Sequence, residues 1–303
     1  MAITAQDVKN LREMTGCGMM DCKKALAASE GDMDKAIEWL REKGLAASAK
    51  KAGRIAAEGM AYACVVDGIG VAVEVNAETD FVGKNEKFVD FVKGVANTVA
   101  KCNPADLDAL MECKYDGTDL TVLQQQQEMV LVIGENIKVR RFARFEGGFS
   151  VPYIHAGGKI GVLVNLEVTG GIDATEIGKD MAMQIAALNP RFWDKSQVTQ
   201  DVLDKEKKIM LAQMANDPKM ASKPDQVKEK IVLGKLNKFY SENCLLQQAF
   251  VKDGDMTVEQ YMNSAAKTLG GTVKFLDAVR FEKGEGIEKK QENFAEEIAK
   301  LAK

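Results

Sequence analysis

Hydrophobic residues recur at helical spacing from the first residues of the chain. Thr4 followed by Asp7 predicts a capped helix start, and Gly16 predicts where that helix ends. The segment "MMDCKKALAASE" predicts a second helix, because its apolar positions again fall on one face.

A third helix is predicted from Asp32 to Gly44, with an apolar stripe of Met33, Ala36, Ile37 and Leu40. The pattern therefore predicts a three-helix unit over residues 1–44. The segment 45–59 is rich in Ala and Lys and lacks a large apolar stripe, so we expect a linker that is partly helical.

Beyond the linker the apolar positions alternate, which is the period of a β-strand. "MAYACVV" and "GVAVEVN" flank Asp67-Gly68, a pair that favours the tight turn of a β-hairpin. A helical stripe begins at Phe88 and ends at Asn103-Pro104. A second helix leads to Gly134, after which "IKVRRFARF" predicts a strand.

The same order of elements then recurs along the chain. "GFSVPYIH" and "KIGVLVNLEV" predict a second hairpin, "ATEIGKDMAMQIAALNP" a helix, and "VKFLDAVRFE" a closing strand. The tripeptide Arg-Phe-Glu occurs in both closing strands, at residues 144–146 and 280–282. We therefore expect two copies of one α+β unit, over residues 60–148 and 149–283.

The second copy is longer by about fifty residues, counted between matching positions of the two units. The excess contains two charged helical stretches separated by Asp217-Pro218 and Lys223-Pro224, which predicts a protruding helical hairpin at about 197–240. Residues 284–303 predict a last amphipathic helix, with apolar positions at Ile287, Phe294, Ile298 and Leu301. The predicted fold class is α+β, with antiparallel sheets.

Composition excludes several classes of function. The chain has 303 residues and a net charge of −4, and only 6 % of its residues are aromatic, so neither a basic footprint nor a stacking platform for nucleic acid is expected. No run approaches the roughly 18 apolar residues that a membrane span needs. We expect a soluble, cytoplasmic protein.

The sequence contains no phosphate-binding loop. "GIG" at residues 68–70 lies in a hairpin turn, and "AGGKIG" at 156–161 lacks the spacing of a nucleotide-binding motif. The six cysteines show no CxxC spacing and the only histidine is His155, so a zinc site is not expected. We expect reduced, mostly buried thiols and no cofactor. No serine or cysteine lies next to His155 in the sequence, which only lowers the odds of nucleophilic catalysis, since distant residues could converge.

Three acids cluster at the predicted end of a strand, in "EVNAETDFVGK", residues 74–84. Glu74, Glu78 and Asp80 raise four possibilities: an acid–base site, a metal site, a helix cap, or a surface that meets a partner. Spacing alone favours a cap at Thr79 or Asp80, with Phe81 packed into the core. Against this, Gly83-Lys84 follows at once, which is a poor first turn for a capped helix. The apolar stripe from Phe88 onward also supplies the buried face without Phe81.

The segment "GCGMMDCKKAL", residues 16–26, poses a similar choice. Met19 and Met20 could close the core of the three-helix unit, but adjacent side chains of a helix point in different directions. We therefore expect one of them to be exposed, where a flexible methionine suits a protein-binding surface.

Seven motifs in register resemble the bacterial elongation factor Ts family, nearly end to end. They are "TGCGMMDCKKAL", "GDMDKAIEWLREKG", "AKKAGRIAAEG", "EVNAETDFVGKNEKF", "IGENIKVRR", "HAGGKIGVLV" and "VRFEKGEGIEK". The resemblance implies a guanine-nucleotide exchange factor for the GTPase elongation factor Tu, which it meets in GDP-bound and nucleotide-free forms. It implies a UBA-like domain over 1–44, a core of two α+β subdomains, a coiled-coil insertion and a C-terminal helical module over 284–303.

The resemblance also implies roles for particular residues. Those that match the segment that enters the partner near its magnesium ion are Thr79, Asp80, Phe81 and Val82. Those that match contacts to the partner's nucleotide-binding domain are Met19, Met20, Lys23, Ile133 and Gly134. His155 matches a contact to another domain of the partner, although "VPYIH" differs from the polar run common in the family. Gly83 stands where the family often has Ala, and we expect it to loosen the turn.

The expected function is therefore GDP release from elongation factor Tu, with no nucleic acid, membrane or small-molecule substrate. The alternative is a passive scaffold or adaptor that binds a GTPase without accelerating exchange. An enzyme built on Cys17, Cys22 or His155 is the third and least favoured hypothesis.

Overall fold

The structure is a computed structural model that describes residues 3–288. Its helices are α1 (Ala5–Thr15), α2 (Met19–Ala28), α3 (Met33–Lys51), α4 (Glu86–Cys102), α5 (Leu107–Glu112), α6 (Val122–Ile133), α7 (Thr175–Leu188), α8 (Gln200–Ala215), α9 (Pro218–Ala221), α10 (Asp225–Asn243) and α11 (Val258–Thr268). Its strands are β1 (Glu58–Val66), β2 (Ile69–Ala77), β3 (Lys138–Phe145), β4 (Phe149–His155), β5 (Ile160–Thr169), β6 (Ala249–Phe250), β7 (Asp253–Thr257) and β8 (Thr272–Glu282). The predicted α+β class is confirmed.

Helix α1 has the capping box predicted from its sequence. The Thr4 side chain accepts a hydrogen bond from the Asp7 backbone N–H, and the Asp7 carboxylate accepts one from the Thr4 backbone. Gly16 ends the helix in the left-handed conformation, as expected. Leu11 and Leu26 are buried among the three helices, where Leu131 and Val132 of α6 also pack against them, so the core of this unit is shared with the rest of the chain.

The prediction that α3 ends at Gly44 is wrong, because the helix continues to Lys51. Gly44 is buried, and a Cβ at this position would lie 3.3 Å from the backbone oxygen of Gln127 on α6. The glycine therefore allows two helices to approach closely, and its freedom in the left-handed region is not used here. The first seven residues of the predicted linker, 45–51, all belong to the last two turns of α3.

The first α+β unit is built on the predicted hairpin. Asp67 and Gly68 both have positive φ values, 51° and 80°, as a tight primed turn requires. The sheet order is β1-β2-β3, all antiparallel. The apolar stripe of α4 covers one face of this sheet and buries Phe88 and Phe91 completely or almost completely.

The second α+β unit repeats this arrangement, with the antiparallel order β4-β5-β8. Each unit has a register shift at the same place of its central strand, after Glu74 in β2 and after Asn165 in β5. The first helices of both units end at an asparagine in the left-handed conformation, Asn103 and Asn189. The matching irregularities confirm the duplication, since a bulge is a specific local feature.

The two sheets pack against each other through small residues. Ala61, Ala63 and Ala72 of the first sheet are buried against Leu163 and Phe281 of the second. A Cβ on Gly161 would lie 3.0 Å from the backbone carbon of Ala61, so the strands approach more closely than side chains would allow. This tight contact fixes the two units relative to each other.

Helices α8, α9 and α10 form the insertion predicted in the second unit. Their own small core contains Met210, Met214 and Leu236. At the base, Phe192 donates its N–H to Asn243 O at 3.0 Å, and Leu245 donates to Phe192 O at 2.9 Å. These backbone bonds join the two ends of the insertion, so the helices leave the second unit from one closed base. The helix predicted within residues 284–303 lies almost entirely outside the described residues.

The buried carboxylate of Glu74 joins the two units. It accepts hydrogen bonds from Arg140 Nη1 at 2.9 Å, Arg141 Nε at 2.5 Å and the Gly284 backbone N–H at 2.8 Å. Its side chain is fully buried. Burial alone would raise the pKa of Glu74, but the hydrogen bonds from Gly284, the two arginines and Asn76 outweigh burial and hold the pKa below its usual value.

One pair of cysteines departs from the expectation of reduced thiols. Cys102 and Cys113 form a disulfide between the end of α4 and the residue after α5, with their Cα atoms 6.5 Å apart. Cys17, Cys22 and Cys244 are free and buried, as predicted. Burial raises the pKa of Cys244 to about 11, which keeps this thiol in its less reactive protonated form.

We predict that Glu74→Gln destabilises the protein by about 3 kcal/mol, because Arg140 and Arg141 lose a fully buried anion, and only Arg141 keeps another carboxylate, that of Glu285 at 2.9 Å. Chemical denaturation at pH 7 measures the free energy of unfolding. Glu167→Gln is the matched control, since Glu167 is more than half exposed and pairs only loosely with Lys274, and we expect a change below about 0.5 kcal/mol.

The lowered pKa also gives this contribution a pH dependence. The ionised carboxylate stabilises the folded state fully above the pKa of an unfolded glutamate, and the contribution is lost as the pH falls through the lower folded pKa. The difference in the free energy of unfolding between wild type and Glu74→Gln should therefore become smaller at acidic pH. A difference that stays constant below pH 4 would contradict the assigned charge state.

Candidate functional site

Phe81 points into solvent from the connection between β2 and α4. It is 80 % exposed, the highest value among the exposed large hydrophobic side chains of the described residues. Helix α4 is capped by Asn85, whose side chain accepts a hydrogen bond from the Lys87 N–H. The hypothesis of a cap at Thr79 or Asp80 with Phe81 in the core is therefore wrong.

The neighbouring Val82 anchors the segment instead. Val82 is only 5 % exposed and packs into the core of the first unit. Residues Val82–Lys84 form a short 3₁₀ turn, in which Lys84 N donates to Phe81 O at 3.2 Å. Asp80 is exposed beside the aromatic ring. The segment thus places one apolar residue inward and presents an acid and an aromatic ring outward.

Glu135 holds the beginning of this segment. One carboxylate oxygen accepts hydrogen bonds from the backbone N–H groups of Glu78 at 3.1 Å and Thr79 at 3.0 Å. The other accepts from the Thr79 hydroxyl at 2.6 Å. Because β2 has ended at Ala77, these two N–H groups find their partner in a side chain and not in the sheet.

Glu78 makes the reverse connection to the loop that contains Glu135. Its carboxylate accepts a hydrogen bond from the Asn136 N–H at 2.6 Å and lies 3.4 Å from Arg54 Nη1. The Asn136 side chain donates in turn to the Arg54 backbone oxygen at 2.8 Å. We call the four residues Glu78, Thr79, Glu135 and Asn136 the carboxylate clasp.

Gly83 allows the 3₁₀ turn to lie directly on the first strand. A Cβ on Gly83 would come within 2.8 Å of the backbone oxygen of Gly59, next to the start of β1. We expected this glycine to loosen the turn. Its place in the structure is instead a close contact between two backbones.

Ile133 and Gly134 lie directly before the clasp. Gly134 ends α6 with a φ of 89°, in the left-handed region, and is exposed, whereas Ile133 is half-buried. The structure therefore brings together two of the predicted contact segments, 79–82 and 133–134, which are more than fifty positions apart in the sequence.

Met19, Met20 and Lys23 form the third predicted segment, on the first turns of α2. Both methionines are exposed, at 60 % and 63 %, so neither of them closes the core of the three-helix unit. Met14 is also 63 % exposed, on α1. Lys23 lies three and four positions after the methionines and is exposed on the same face.

Lys87 connects this helical unit to the region of Phe81. Its Nζ donates to the backbone oxygen of Gly16 at 3.1 Å, and it sits on the first turn of α4, only six positions after Phe81. Two adjoining shallow grooves share Lys87, Gly16 and Val132, with Met14 in one and Met19 in the other. Met14 and Met19 thus line grooves that reach the first turn of α4, the helix that follows the Phe81 segment.

His155 lies at the end of β4, outside the clasp. Its Nδ1 is 3.1 Å from the Tyr153 hydroxyl, and its side chain is exposed. The turn that follows is fixed to the first sheet, because the Ala61 N–H donates to Gly158 O at 2.8 Å. Among residues 3–288, no hydrogen bond links His155 to the Phe81 segment.

The three acids near the end of β2 do not form one chemical site. Glu74 is buried against two arginines, Glu78 belongs to the clasp, and Asp80 is exposed. Among residues 3–288, no group of three or more His, Cys, Asp and Glu is arranged to hold a metal ion. Of the four possibilities raised for these acids, this geometry favours a surface for a partner.

Sequence reasoning missed Glu135, Asn136 and Lys87. Nothing in the local pattern of "IGEN" indicates that its glutamate binds a backbone segment 56 positions earlier. The available signal was the family resemblance, because "IGEN" and "NAETDF" both lie in motifs of that family.

Within the described part of the chain, no helix combines the length and hydropathy of a membrane span.

Comparisons with known proteins show the family of this chain. Residues 78–285 match the family model described as elongation factor TS. The chain is 50 % identical over 305 residues to elongation factor Ts of Clostridium perfringens strain SM101, which covers 99 % of both chains. It is 49 % identical over 304 residues to the protein of the same name from Clostridium kluyveri strain ATCC 8527, covering 98 % of both. The protein of the same name from Syntrophotalea carbinolica is 46 % identical over 307 residues, and this match covers all of both chains.

We predict that Gly83→Ala destabilises the protein by about 1–3 kcal/mol, because the added methyl group would meet the Gly59 backbone, which cannot rotate away. Gly53→Ala is the control, since nothing lies within 4 Å of a Cβ at that position. Urea denaturation of both variants measures the effect. Equal stabilities for the two alanine variants would show that the close contact at Gly83 does not exist.

Proposed function

The chain belongs to the elongation factor Ts family, and we propose that it binds the GTPase elongation factor Tu and promotes the release of GDP. It is a translation elongation factor by its family. The finer proposal is that Asp80 and Phe81 approach the partner's magnesium and phosphate-binding region, with Thr79 and Val82 holding their segment in place. GTP can then replace the lost GDP.

The observation that carries this proposal is the exposure of Phe81 on a segment fixed at both ends. A large apolar ring that is 80 % exposed gains free energy when a partner covers it. The segment is held by Glu135 before the ring and by the buried Val82 after it. An exposed ring on a fixed support is suited to entering a pocket of another protein.

Exchange follows from linkage between two ligands of one GTPase. If this chain binds the nucleotide-free form more tightly than the GDP-bound form, GDP binding weakens by the same factor when the chain is bound. No covalent step is needed. The nucleotide and its magnesium ion belong to the partner, which agrees with a sequence that carries no phosphate-binding loop of its own.

A nucleotide bound with nanomolar affinity is held by about 12 kcal/mol, which exceeds what burial of Phe81 alone can supply. Burying one phenylalanine contributes roughly 1.5–3 kcal/mol, and each tenfold weakening of GDP requires about 1.4 kcal/mol. The ring therefore accounts for one to two decades. We propose that Ile133 and Gly134 beside the clasp, with the exposed Met19, Met20 and Lys23 on α2, supply further contacts, and that His155 reaches a different domain of the partner.

The alternative is a passive adaptor that docks through the same methionines but leaves the nucleotide lifetime unchanged. Exposed methionines suit adaptable binding surfaces in general, and they do not by themselves imply exchange. The rate of GDP release distinguishes an exchange factor from an adaptor. An adaptor would bind the GDP-bound and nucleotide-free GTPase equally well, and it would therefore leave the rate of GDP release unchanged.

We predict that Phe81→Ala lowers the maximal rate of GDP release from elongation factor Tu by about ten- to a hundredfold, because the ring no longer enters the partner. Stopped-flow fluorescence of a GDP analogue, at saturating factor, measures this rate. Leu188→Ala is the matched control: Leu188 is 49 % exposed at the end of α7 in the second unit. Unchanged release by Phe81→Ala would rule out the proposed entry of the ring.

We predict that the double substitution Met19→Ala with Met20→Ala raises the Kd for elongation factor Tu by about tenfold or more, since two exposed apolar side chains are lost from the docking face. The maximal rate at saturating factor should change much less, because Phe81 is intact. Titration calorimetry gives the Kd, and stopped flow gives the rate. A lower maximal rate with an unchanged Kd would contradict a docking role for these methionines.

A further inference from the structure

We propose that Glu135 is the positioning residue for the Phe81 segment, and that the carboxylate clasp makes residues 78–82 and 133–136 move as one unit. This inference rests on the proposed function, because it concerns how that segment meets the GTPase. The carboxylate of Glu135 is the only acceptor found within residues 3–288 for the side-chain hydroxyl of Thr79 and for the backbone N–H groups of Glu78 and Thr79.

The clasp is reciprocal, and this makes it stiffer than a single bridge. Glu135 accepts from the backbone of residues 78 and 79, while Glu78 accepts from the backbone of Asn136. The same exchange of side chain for backbone stabilises the capping boxes of helices, but here it connects two loops from distant parts of the sequence. Opening the clasp breaks both halves together, because each glutamate belongs to the loop that the other one holds.

Arg54, three residues after the end of α3, supplies positive charge beside the carboxylate of Glu78. Arg54 Nη1 lies 3.4 Å from Glu78, and its backbone oxygen accepts from the Asn136 side chain. Burial and the neighbouring Arg54 lower the pKa of Lys51 below its usual value. The charges of Glu78 and Glu135 act in the opposite direction, but their effect is smaller. The segment that was expected to be a linker therefore contributes to the position of the clasp.

The clasp matters because a segment that moves away on contact cannot displace a loop of the partner. Phe81 disturbs the partner only if its segment keeps its position while the partner's own loop moves, and the hydrogen bonds to Glu135 oppose its retreat. Ile133 and Gly134 are attached to the same clasp, so docking at one proposed contact places the other. The positioning effect should therefore appear in the exchange rate more than in affinity.

Glu135→Ala in the full-length protein tests this role. We expect the maximal rate of GDP release from elongation factor Tu to fall about tenfold, with a much smaller change in the half-saturating concentration. Glu135→Gln keeps an acceptor oxygen for the two backbone N–H groups and should recover most of the rate. Glu112→Ala removes an exposed glutamate of α5 and serves as the control.

Two readouts separate positioning from general destabilisation. Combined with Phe81→Ala, the Glu135→Ala substitution should cause almost no further loss of rate, because Glu135 acts through the ring. In the free protein, hydrogen exchange at the amides of residues 78 and 79 should become faster in Glu135→Ala, while the amides of α4 stay protected. Thr79→Val, which removes one of the three hydrogen bonds, should show a smaller loss in the same direction.

The outcomes distinguish this inference from the function on which it rests. A normal rate for Glu135→Ala together with a slow Phe81→Ala would overturn the positioning role alone. Losses that multiply independently in the double variant would also overturn it. A wild-type protein that does not accelerate GDP release would instead refute the proposed function. In that case, faster hydrogen exchange at the amides of residues 78 and 79 in Glu135→Ala would still support the clasp as a structural device.

Discussion

The buried carboxylate of Glu74 is the interaction on which the arrangement of the two units depends. It lies on the central strand of the first sheet and binds Arg140 and Arg141 of the next strand, as well as the backbone of Gly284 after the last strand of the second sheet. A buried charge is tolerated only when its partners are complete, so this site requires all three segments to be in place. Four positions further along the chain, Glu78 begins the clasp, so the Phe81 segment starts close to this buried site.

Duplication explains the scaffold, and the difference between the copies explains the function that we propose. Both units have the same sheet order, the same bulge and the same asparagine after the first helix. In the second unit a short connection joins β5 to α7, and Ile172 packs partly into the core. In the first unit the corresponding connection is longer and turns Phe81 outward while Val82 packs inward. The strand-to-helix connection of the first unit thus projects Phe81 into solvent and is supported by Glu135 from another loop.

Periodicity predicted most of the fold, because helices, hairpins and the repeat are encoded in local spacing. The Asp67-Gly68 turn, the Phe88 stripe and the capping box at Thr4 are all local features. The errors arose where a distant contact decides the outcome. Gly44 does not end α3, because its lack of a side chain serves contact with α6, and a disulfide at Cys102 depends on where Cys113 lies in space.

At the site, the resemblance to a known family indicated the segment 79–82, but spacing alone favoured a buried Phe81 and gave no sign of Glu135. The central claim is that this chain prefers the nucleotide-free form of elongation factor Tu, and affinity for both forms tests it most directly. Titration of the protein into nucleotide-free and GDP-loaded elongation factor Tu should give a much lower Kd for the nucleotide-free form, with a ratio equal to the factor by which the chain weakens GDP. Equal Kd values for the two forms would contradict the account.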